Sequence, residues 1–336
     1  FMQDALPRPN GSSSADEIDL PGDGDDDDAS ETRRLADGGD DKEGLVGAET
    51  LGTAPEDTTL DFLRSQTVLL KPGKMQFDIG FQYQLAENDF PILLVDSMGE
   101  IIGVSDVKFR GRELSVPLQA RFGVLNRVQA FIQVPVGWSN TQVAIDGVDM
   151  FQNDGGLGDI SFGTMVQLCD ATPDRPYMIG SFAALAPTGG DPFTGIVGFS
   201  PSAPSLGNGF WALGGNLLWI ETRYDPVIVF YGLGYRYQFS HRYIGIEFQP
   251  GPEYNYTFGY GFAVNERVTL STQFFGAYVE EFKANGRRLE GTNQEPMNVQ
   301  LAATFIDRCD RIVEPFVTFG LTDDAISANV GITWTY

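Results

Sequence analysis

Apolar and polar residues alternate strictly along several stretches of the chain. In MQFDIGFQYQL, residues 75–85, every odd-numbered residue from Met75 to Leu85 is apolar, and every even-numbered residue is Gln, Asp or Gly. Successive side chains of a β-strand point to opposite faces, so this period of two predicts a strand with one apolar face. The same alternation recurs at 114–123, at 128–136 and in later stretches.

Twelve strands of about 10–15 residues are predicted in this way. Tilted membrane strands need about that length, whereas strands of soluble proteins are usually about five or six residues long. We therefore predict an all-β fold, a transmembrane antiparallel up-and-down β-barrel of about 12 strands. The predicted strands are 74–86, 111–123, 127–139, 157–170, 176–187, 208–222, 227–240, 252–264, 267–280, 296–308, 312–321 and 325–336.

The connections between these strands alternate in length. Short connections at 124–126, 171–175, 223–226, 265–266 and 309–311 separate longer ones at 87–110, 140–156, 188–207, 241–251 and 281–295. Outer-membrane barrels have short periplasmic turns and longer external loops, which predicts that both termini are periplasmic. The connection 87–110 is itself β-prone, and the sequence leaves open whether it extends the first hairpin outward or folds into the lumen.

Three prolines, Pro117, Pro135 and Pro315, interrupt the predicted strands. Proline cannot donate a hydrogen bond to a β-ladder, and a closed barrel has no free edge on which to place it. We therefore predict β-bulges at these three positions.

The last predicted strand, AISANVGITWTY, ends on the aromatic residue Tyr336. It resembles the carboxyl-terminal strand signature of outer-membrane proteins, which implies the barrel assembly machinery as a partner and outer-membrane lipid as the surroundings. The first residues, FMQDALPRPN, lack the basic and apolar stretches of a secretory signal. The chain is therefore either a processed mature form or cytoplasmic, and the predicted barrel favours an outer-membrane protein from which the signal peptide has been removed.

The formal net charge of −24 is concentrated near the start of the chain. Residues 1–60 hold 17 Asp or Glu against 4 Lys or Arg, which is −13, and leave −11 for the rest. The segment 1–59 has too few large apolar residues to offset the entropy of ordering, so we predict a disordered acidic tail before a barrel domain at 60–336. Nucleic acid is not an expected partner, because binding phosphates requires a basic face.

The lumen of a twelve-stranded barrel is expected to be narrow, since eight strands leave almost no interior space and sixteen enclose an aqueous channel. The inward register predicts these lumen-lining residues: Asp78, Arg121, Phe131, Asp159, Arg236, Glu253, Phe275, Glu314 and Phe316. The charged members form either a salt-bridged network that stabilises the barrel or a device for selectivity. Together with the phenylalanines they suit small, weakly polar solutes better than ions.

The sequence offers few residues that could form a catalytic site or a metal site. The single histidine, His241, directly follows Ser240, and adjacent strand residues point to opposite faces, so no Ser–His pair is expected. One histidine with Cys169 and Cys309 cannot assemble an ordinary zinc site, and no glycine-rich phosphate loop is present. We predict no catalytic residue, no metal and no cofactor, and two isolated thiols.

Residues 60–336 resemble the family of outer-membrane transporters named for the meta-cleavage pathway of phenol degradation, the MetA-pathway phenol degradation-like β-barrels. The motifs that carry the resemblance are FLRSQTVLLKPGKMQFDIGFQY, ELSVPLQARFGVLNRVQAFIQVPVGW, GLGDISFG and ANVGITWTY. The resemblance implies a channel or transporter for passive uptake or efflux of small hydrophobic or aromatic solutes. A structural or adhesive anchor with a plugged barrel, an outer-membrane hydrolase and a soluble β protein are the alternatives.

Overall fold

The computed structural model describes residues 69–95, 101–145, 148–172, 174–190, 206–243, 246–307, 309 and 311–336. The acidic tail and the predicted domain boundary near residue 60 lie outside the described residues and stay predictions. Within the described part of the chain, no helix is long and apolar enough to cross a membrane.

Twelve strands of the described ranges pair antiparallel with their neighbours and close into a ring, because the first strand pairs with the last and the second pairs with the third. The predicted twelve-stranded barrel is confirmed. Its strands are β1 Met75–Val95, β2 Ile101–Leu125, β3 Val128–Ile145, β5 Ile160–Cys169, β6 Tyr177–Ala186, β7 Ala212–Tyr224, β8 Val227–Gln238, β11 Glu253–Asn265, β12 Val268–Val279, β15 Met297–Ile306, β16 Ile312–Gly320 and β17 Ala328–Thr335. One further strand, β4 Val148–Leu157, joins the same sheet through β3.

The two ends of the barrel differ in their connections. One end holds Leu69, Tyr336 and the short turns, and we call it the turn end. The opposite end holds the long connections, and we call it the loop end. There a second, small sheet is built from β9 His241–Tyr243, β10 Ile246–Gln249, β13 Lys283–Ala284 and β14 Arg287–Arg288.

The first two strands extend well past the barrel ladder at the loop end. Leu85 is the last residue of β1 that pairs with β17, yet the β1–β2 ladder continues to Val95 opposite Ile101. These ten further residues, 86–95, correspond to about 33 Å of strand. The segment 87–110 therefore continues the hairpin as one ladder, whose tip at 96–100 lies outside the described residues.

The prediction that residues 140–156 form a loop is wrong. β3 runs on to Ile145, and β4 turns back along it from Val148, so this connection is a second extended hairpin. The sequence carries a signal for it, because Asp-Gly at 146–147 is a preferred pair for a two-residue hairpin turn. The alternation of short and long connections instead favoured a loop at this position.

The prediction of β-bulges at Pro117, Pro135 and Pro315 is also wrong, because the pairing register does not shift at any of them. Near each proline the ladder to one neighbouring strand is interrupted instead, because proline has no amide hydrogen to donate to it. Glycines make room for two of the rings. A Cβ added at Gly80 would lie 2.7 Å from Cγ of Pro117, and one at Gly158 would lie 2.8 Å from Cγ of Pro135.

The two faces of the wall differ as the alternation predicts. On β1 the outward residues Met75, Phe77 and Phe81 are about half exposed, whereas the inward Asp78 is 2% exposed. Each of the twelve barrel strands carries at least one large, exposed apolar side chain on the outer face. The apolar surface of the chain therefore faces away from the barrel axis.

Candidate functional site in the barrel lumen

The lumen is filled by side chains at the turn end. Eleven of the twelve barrel strands each contribute an inward residue with at most 7% of its surface exposed. These residues are Asp78, Arg121, Gln129, Tyr177, Ile220, Ile228, Ala263, Thr269, Thr304, Glu314 and Thr335. The inner surface at this end is therefore packed rather than wetted.

One wall of the filled region is apolar. Tyr177 and Ile179 on β6, Ile220 on β7, and Ile228 and Phe230 on β8 form one buried cluster, which we call the lumen cluster. The Phe230 ring packs against β11, where a Cβ on the facing Gly259 would collide with Cζ of the ring. The absence of that side chain is what allows a large aromatic ring to pack inside the wall.

The opposite wall of the filled region is polar and paired. The Arg121 guanidinium lies 3.1 Å from Oδ2 of Asp78, and the Thr335 hydroxyl donates a 2.5 Å hydrogen bond to Oδ1 of the same carboxylate. Nearby, the Thr304 hydroxyl donates to Oε2 of Glu314 at 2.9 Å. Buried charges are tolerated when they are paired and hydrogen-bonded, so these contacts favour the stabilising network over a selectivity device.

The chain enters the barrel at the same end. The backbone amide of Leu70 donates a 2.9 Å hydrogen bond to Oε1 of Gln129, and the Tyr177 hydroxyl is hydrogen-bonded to the backbone of Leu69. The entry segment is therefore tied to both β3 and β6. These contacts cross the turn end and add to its closure.

The loop-end half of the lumen contains two cavities instead. The loop-side cavity has a volume of about 460 Å³ and is lined by Arg236, Glu253, Asn255, Thr257, Gln273, Phe275 and Asn298 among others. The inner cavity lies closer to the lumen cluster, has a volume of about 240 Å³ and is lined mainly by Met165, Ile179, Ser181, Asn216, Leu218, Asn255 and Thr257. Two residues, Asn255 and Thr257, line both cavities, so the cavities are adjacent.

A row of three residues crosses the wall beside the inner cavity. Asn216 on β7, Gly234 on β8 and Asn255 on β11 are direct neighbours, and a Cβ on the central glycine would collide with both amide oxygens. Neither amide makes a side-chain hydrogen bond to any residue that the structure describes, and neither side chain is fully buried. Both amides can therefore reach a solute in the cavity.

Thr257 lies on β11 next to this row, two residues from Asn255 toward the turn end. Its methyl group lies over the glycine at 232, and its hydroxyl donates to the carbonyl of Phe274 at 3.3 Å and accepts from Nε2 of Gln273 at 2.9 Å. The hydroxyl of Thr257 is thus occupied by the wall. The methyl group of Thr257 and Cδ1 of Leu218 both lie beside Gly232, within 3.3 Å of the position of an added Cβ.

Five further residues that were predicted to line the lumen contact either the loop-side cavity or the barrel wall. Arg236 and Glu253 form an ion pair across β8 and β11 at the loop-side cavity, which Phe275 also lines. The rings of Phe131 and Phe316 lie against glycines 163 and 331 of neighbouring strands, so they run along the wall instead of across the lumen.

The Asp159 carboxylate is hydrogen-bonded to two backbone amides of one connection. Its Oδ1 accepts a 3.0 Å hydrogen bond from the amide of Gly189, and its Oδ2 accepts one of 2.6 Å from the amide of Asn208. These two amides belong to the start and the end of the long β6–β7 connection. The carboxylate therefore fastens the base of that connection at the loop end.

The lumen cluster is not among the residues predicted from sequence, although a signal for part of it exists. Ile228 and Phe230 share the parity of the inward Gly232 and Gly234 on β8. Apolar residues on both faces of β7 and β8 weaken the alternation there. Parity assigned from the glycines would have identified the two β8 members.

The remaining reactive groups lie apart from the cavities. His241 is exposed at the loop end, with its ring edge-on to Phe210 at a centroid distance of 6.4 Å. Cys169 and Cys309 are both free. Among the residues that the structure describes, no group of three His, Cys, Asp or Glu side chains is arranged to hold a metal ion.

No family model matches the chain. Among solved structures it is similar to an outer membrane channel from Pseudomonas putida F1, with 12% identity, 79% of this chain and 96% of that chain covered, and a TM-score of 0.57. A second is the translocator domain of the autotransporter NalP from Neisseria meningitidis, with 12% identity, 82% of this chain and 92% of that chain covered, and a TM-score of 0.43. A third is the Pseudomonas putida toluene transporter TodX, with 9% identity, 86% of this chain and 94% of that chain covered, and a TM-score of 0.37. The first likeness supports the barrel fold, and the family resemblance remains a prediction from sequence.

Proposed function

We propose that this chain is a passive channel of the outer membrane for small hydrophobic or aromatic solutes. The observation that carries the proposal is the gradation of the lumen. The loop-side cavity, which is lined by the Arg236–Glu253 ion pair and several amides, adjoins a smaller cavity that no charged side chain of the described residues lines, and beyond it lies the apolar lumen cluster. A solute that has both apolar surface and some polarity finds favourable contacts along this whole path.

The outer face of the barrel supports the membrane location. Monomeric soluble proteins rarely expose continuous apolar patches larger than a few hundred Å², yet large apolar side chains are exposed on every barrel strand. Lipid is the solvent that makes such a surface favourable, and a closed barrel satisfies all backbone hydrogen bonds within it. We propose outer-membrane lipid as the surroundings and the strand that ends at Tyr336 as the contact for the barrel assembly machinery.

A second function, a structural or adhesive anchor, is favoured by one observation. Inward side chains from eleven strands are buried at the turn end, so axial passage requires several of them to move. An anchor needs no such movement, and the extended β1–β2 hairpin would offer it a contact surface beyond the barrel. The two functions differ in whether a folded barrel conducts.

Conductance of the full-length chain in a planar lipid bilayer separates them. A channel is expected to give discrete current steps that decrease when a small aromatic solute such as phenol is added. Protein whose folded state is verified by heat-dependent gel mobility, but which gives no current steps and no block, would contradict the channel and support the anchor. Phe230→Ala serves as a positive control, since it removes the most deeply buried ring of the lumen cluster.

A further inference from the structure

We infer that the inner cavity is a recognition site for neutral, single-ring solutes that carry one hydrogen-bonding group, such as a hydroxyl or a carbonyl. This inference rests on the proposed function and narrows its solute class. It follows from three properties of the cavity: its size, the division of its lining into an apolar and an amide side, and the absence of charge from that lining.

The size sets the upper limit of the solute. The inner cavity has a volume of about 240 Å³, whereas drug-sized ligands occupy pockets of about 300–1,000 Å³. An apolar cavity of about 150 Å³ accepts benzene. One ring with one or two small substituents therefore fits, and a fused ring system or a long acyl chain would have to extend into the neighbouring loop-side cavity.

The lining separates apolar from polar groups. Met165, Ile179 and Leu218 supply the apolar side, while Asn216 and Asn255 present their amides from the other. Each amide offers both a donor and an acceptor, and neither is hydrogen-bonded to a described residue. A pure hydrocarbon would displace water from both amides and leave them unpaired, which is unfavourable. A hydroxyl or carbonyl on the ring would replace that water.

The lack of charged residues in the lining disfavours the binding of ions. No Asp, Glu, Lys or Arg lines the inner cavity within the described residues. The nearest inward charges on β8 and β11, Arg236 and Glu253, lie closer to the loop end and are paired with each other. A carboxylate or ammonium on the solute would thus lose its hydration without gaining a counter-charge, which strongly disfavours its entry.

Binding of three fluorinated probes to the full-length protein in detergent tests the inference. We propose 4-fluorophenol, 4-fluorotoluene and 4-fluorobenzoate, measured by fluorine NMR, with empty micelles measured in parallel to subtract partitioning. The expected dissociation constant of the phenol is about tenfold lower than that of the toluene, which is the effect of one to two net hydrogen bonds. The benzoate is expected to show no saturable binding.

Variants assign the preference to the amides. The double variant Asn216→Leu with Asn255→Leu keeps side chains of similar size and is expected to remove the tenfold preference, mostly by weakening the phenol. Asn329→Leu is the matched control, because Asn329 is an inward asparagine of β17 that lines none of the cavities described above. It should retain the wild-type ratio.

The outcomes separate this inference from the proposed function. A wild-type ratio near one, a ratio unchanged in the double variant, or saturable binding of the benzoate would overturn the inference. If conductance steps and their block by phenol persist in that case, the proposed channel function stands. If the bilayers are silent, the channel function fails, while the ratio of the two dissociation constants still decides whether the amides recognise the hydrogen-bonding group.

Discussion

The turn-end and loop-end halves of the lumen share one backbone ladder but differ in what fills it. At the turn end the inward positions carry branched or aromatic side chains and a buried ion pair, such as Ile220, Phe230 and the Asp78–Arg121 contact. At the loop end, Asn216 and Gly234 occupy the same strands and leave space. In a barrel of twelve strands, side-chain size at inward positions therefore decides whether the interior is a core or a cavity.

This difference divides stability from recognition. The turn-end half resembles the core of a soluble protein, in which deleting a side chain leaves a void that the structure cannot fill. The loop-end half already contains voids and exposed polar groups, so substitutions there change what the lumen holds more than how firmly the barrel is folded. Paired substitutions at matched positions of the two halves test this division.

The largest effect is expected from Phe230→Ala in the lumen cluster. Removing a phenylalanine ring that is 1% exposed should lower the free energy of unfolding by about 4 kcal/mol, the usual cost of a large core truncation. It should also open the turn end and raise the single-channel conductance. Urea unfolding in detergent and bilayer recordings measure the two quantities. Phe275→Ala at the loop-side cavity is the control, expected to cost less than half as much; equal costs would contradict the division.

The next effect concerns the two ion pairs. Arg121→Ala removes a guanidinium that is 3% exposed from the carboxylate of Asp78, which should cost about 3 kcal/mol, because the carboxylate stays in the packed half. Arg236→Ala breaks the ion pair with Glu253. Because the Arg236 side chain is 40% exposed, this substitution should cost less than about 1 kcal/mol. Urea midpoints at constant slope give both values. Similar losses of unfolding free energy in the two variants would show that the two halves do not differ in how they bury charged groups.

A smaller contrast is expected between two glycines. A Cβ at Gly259 would collide with the Phe230 ring and lie 2.7 Å from the carbonyl oxygen of Thr272 on the backbone, so Gly259→Ala should cost about 1–3 kcal/mol. At Gly234 the three atoms nearest to a Cβ all belong to the ends of the Asn216 and Asn255 side chains, which can rotate away. Gly234→Ala should therefore change stability by less than about 0.5 kcal/mol. A costly Gly234→Ala would mean that the two amides are held rigidly.

The sequence predicted the barrel because its signal is local. Alternation in residues 75–85 assigns the faces of β1, and the short turns between strands set the pairing of neighbours. Strand β6, which alternates poorly, is nevertheless present at Tyr177–Ala186, close to the predicted 176–187. Strand length and turn position carried the prediction where alternation failed.

The lumen could be predicted only in part, since its contents depend on which inward side chains of different strands meet. The parity of Asp78 and Arg121 indicated that both point inward, but not that they meet each other across β1 and β2. Asp159 has inward parity as well, yet its partners are loop amides 30 and 49 residues away in sequence. Local patterns assign a face to a side chain and leave its partner undetermined.

The smallest predicted effect concerns the turn between β15 and β16, outside the lumen at the turn end. Hydrogen bonds from the Arg311 guanidinium, and then one from the amide of Cys309, hold the pKa of the Asp307 carboxyl below its ordinary value. A lowered pKa means that the contact stabilises the turn above the ordinary carboxyl range near pH 4 and is lost as the pH falls through the lowered pKa. Carboxyl NMR titration of Asp307 measures it, and Arg311→Ala should move the pKa back upward. An unchanged pKa in that variant would assign the shift to the backbone amides, and the turn would then keep its order without the arginine.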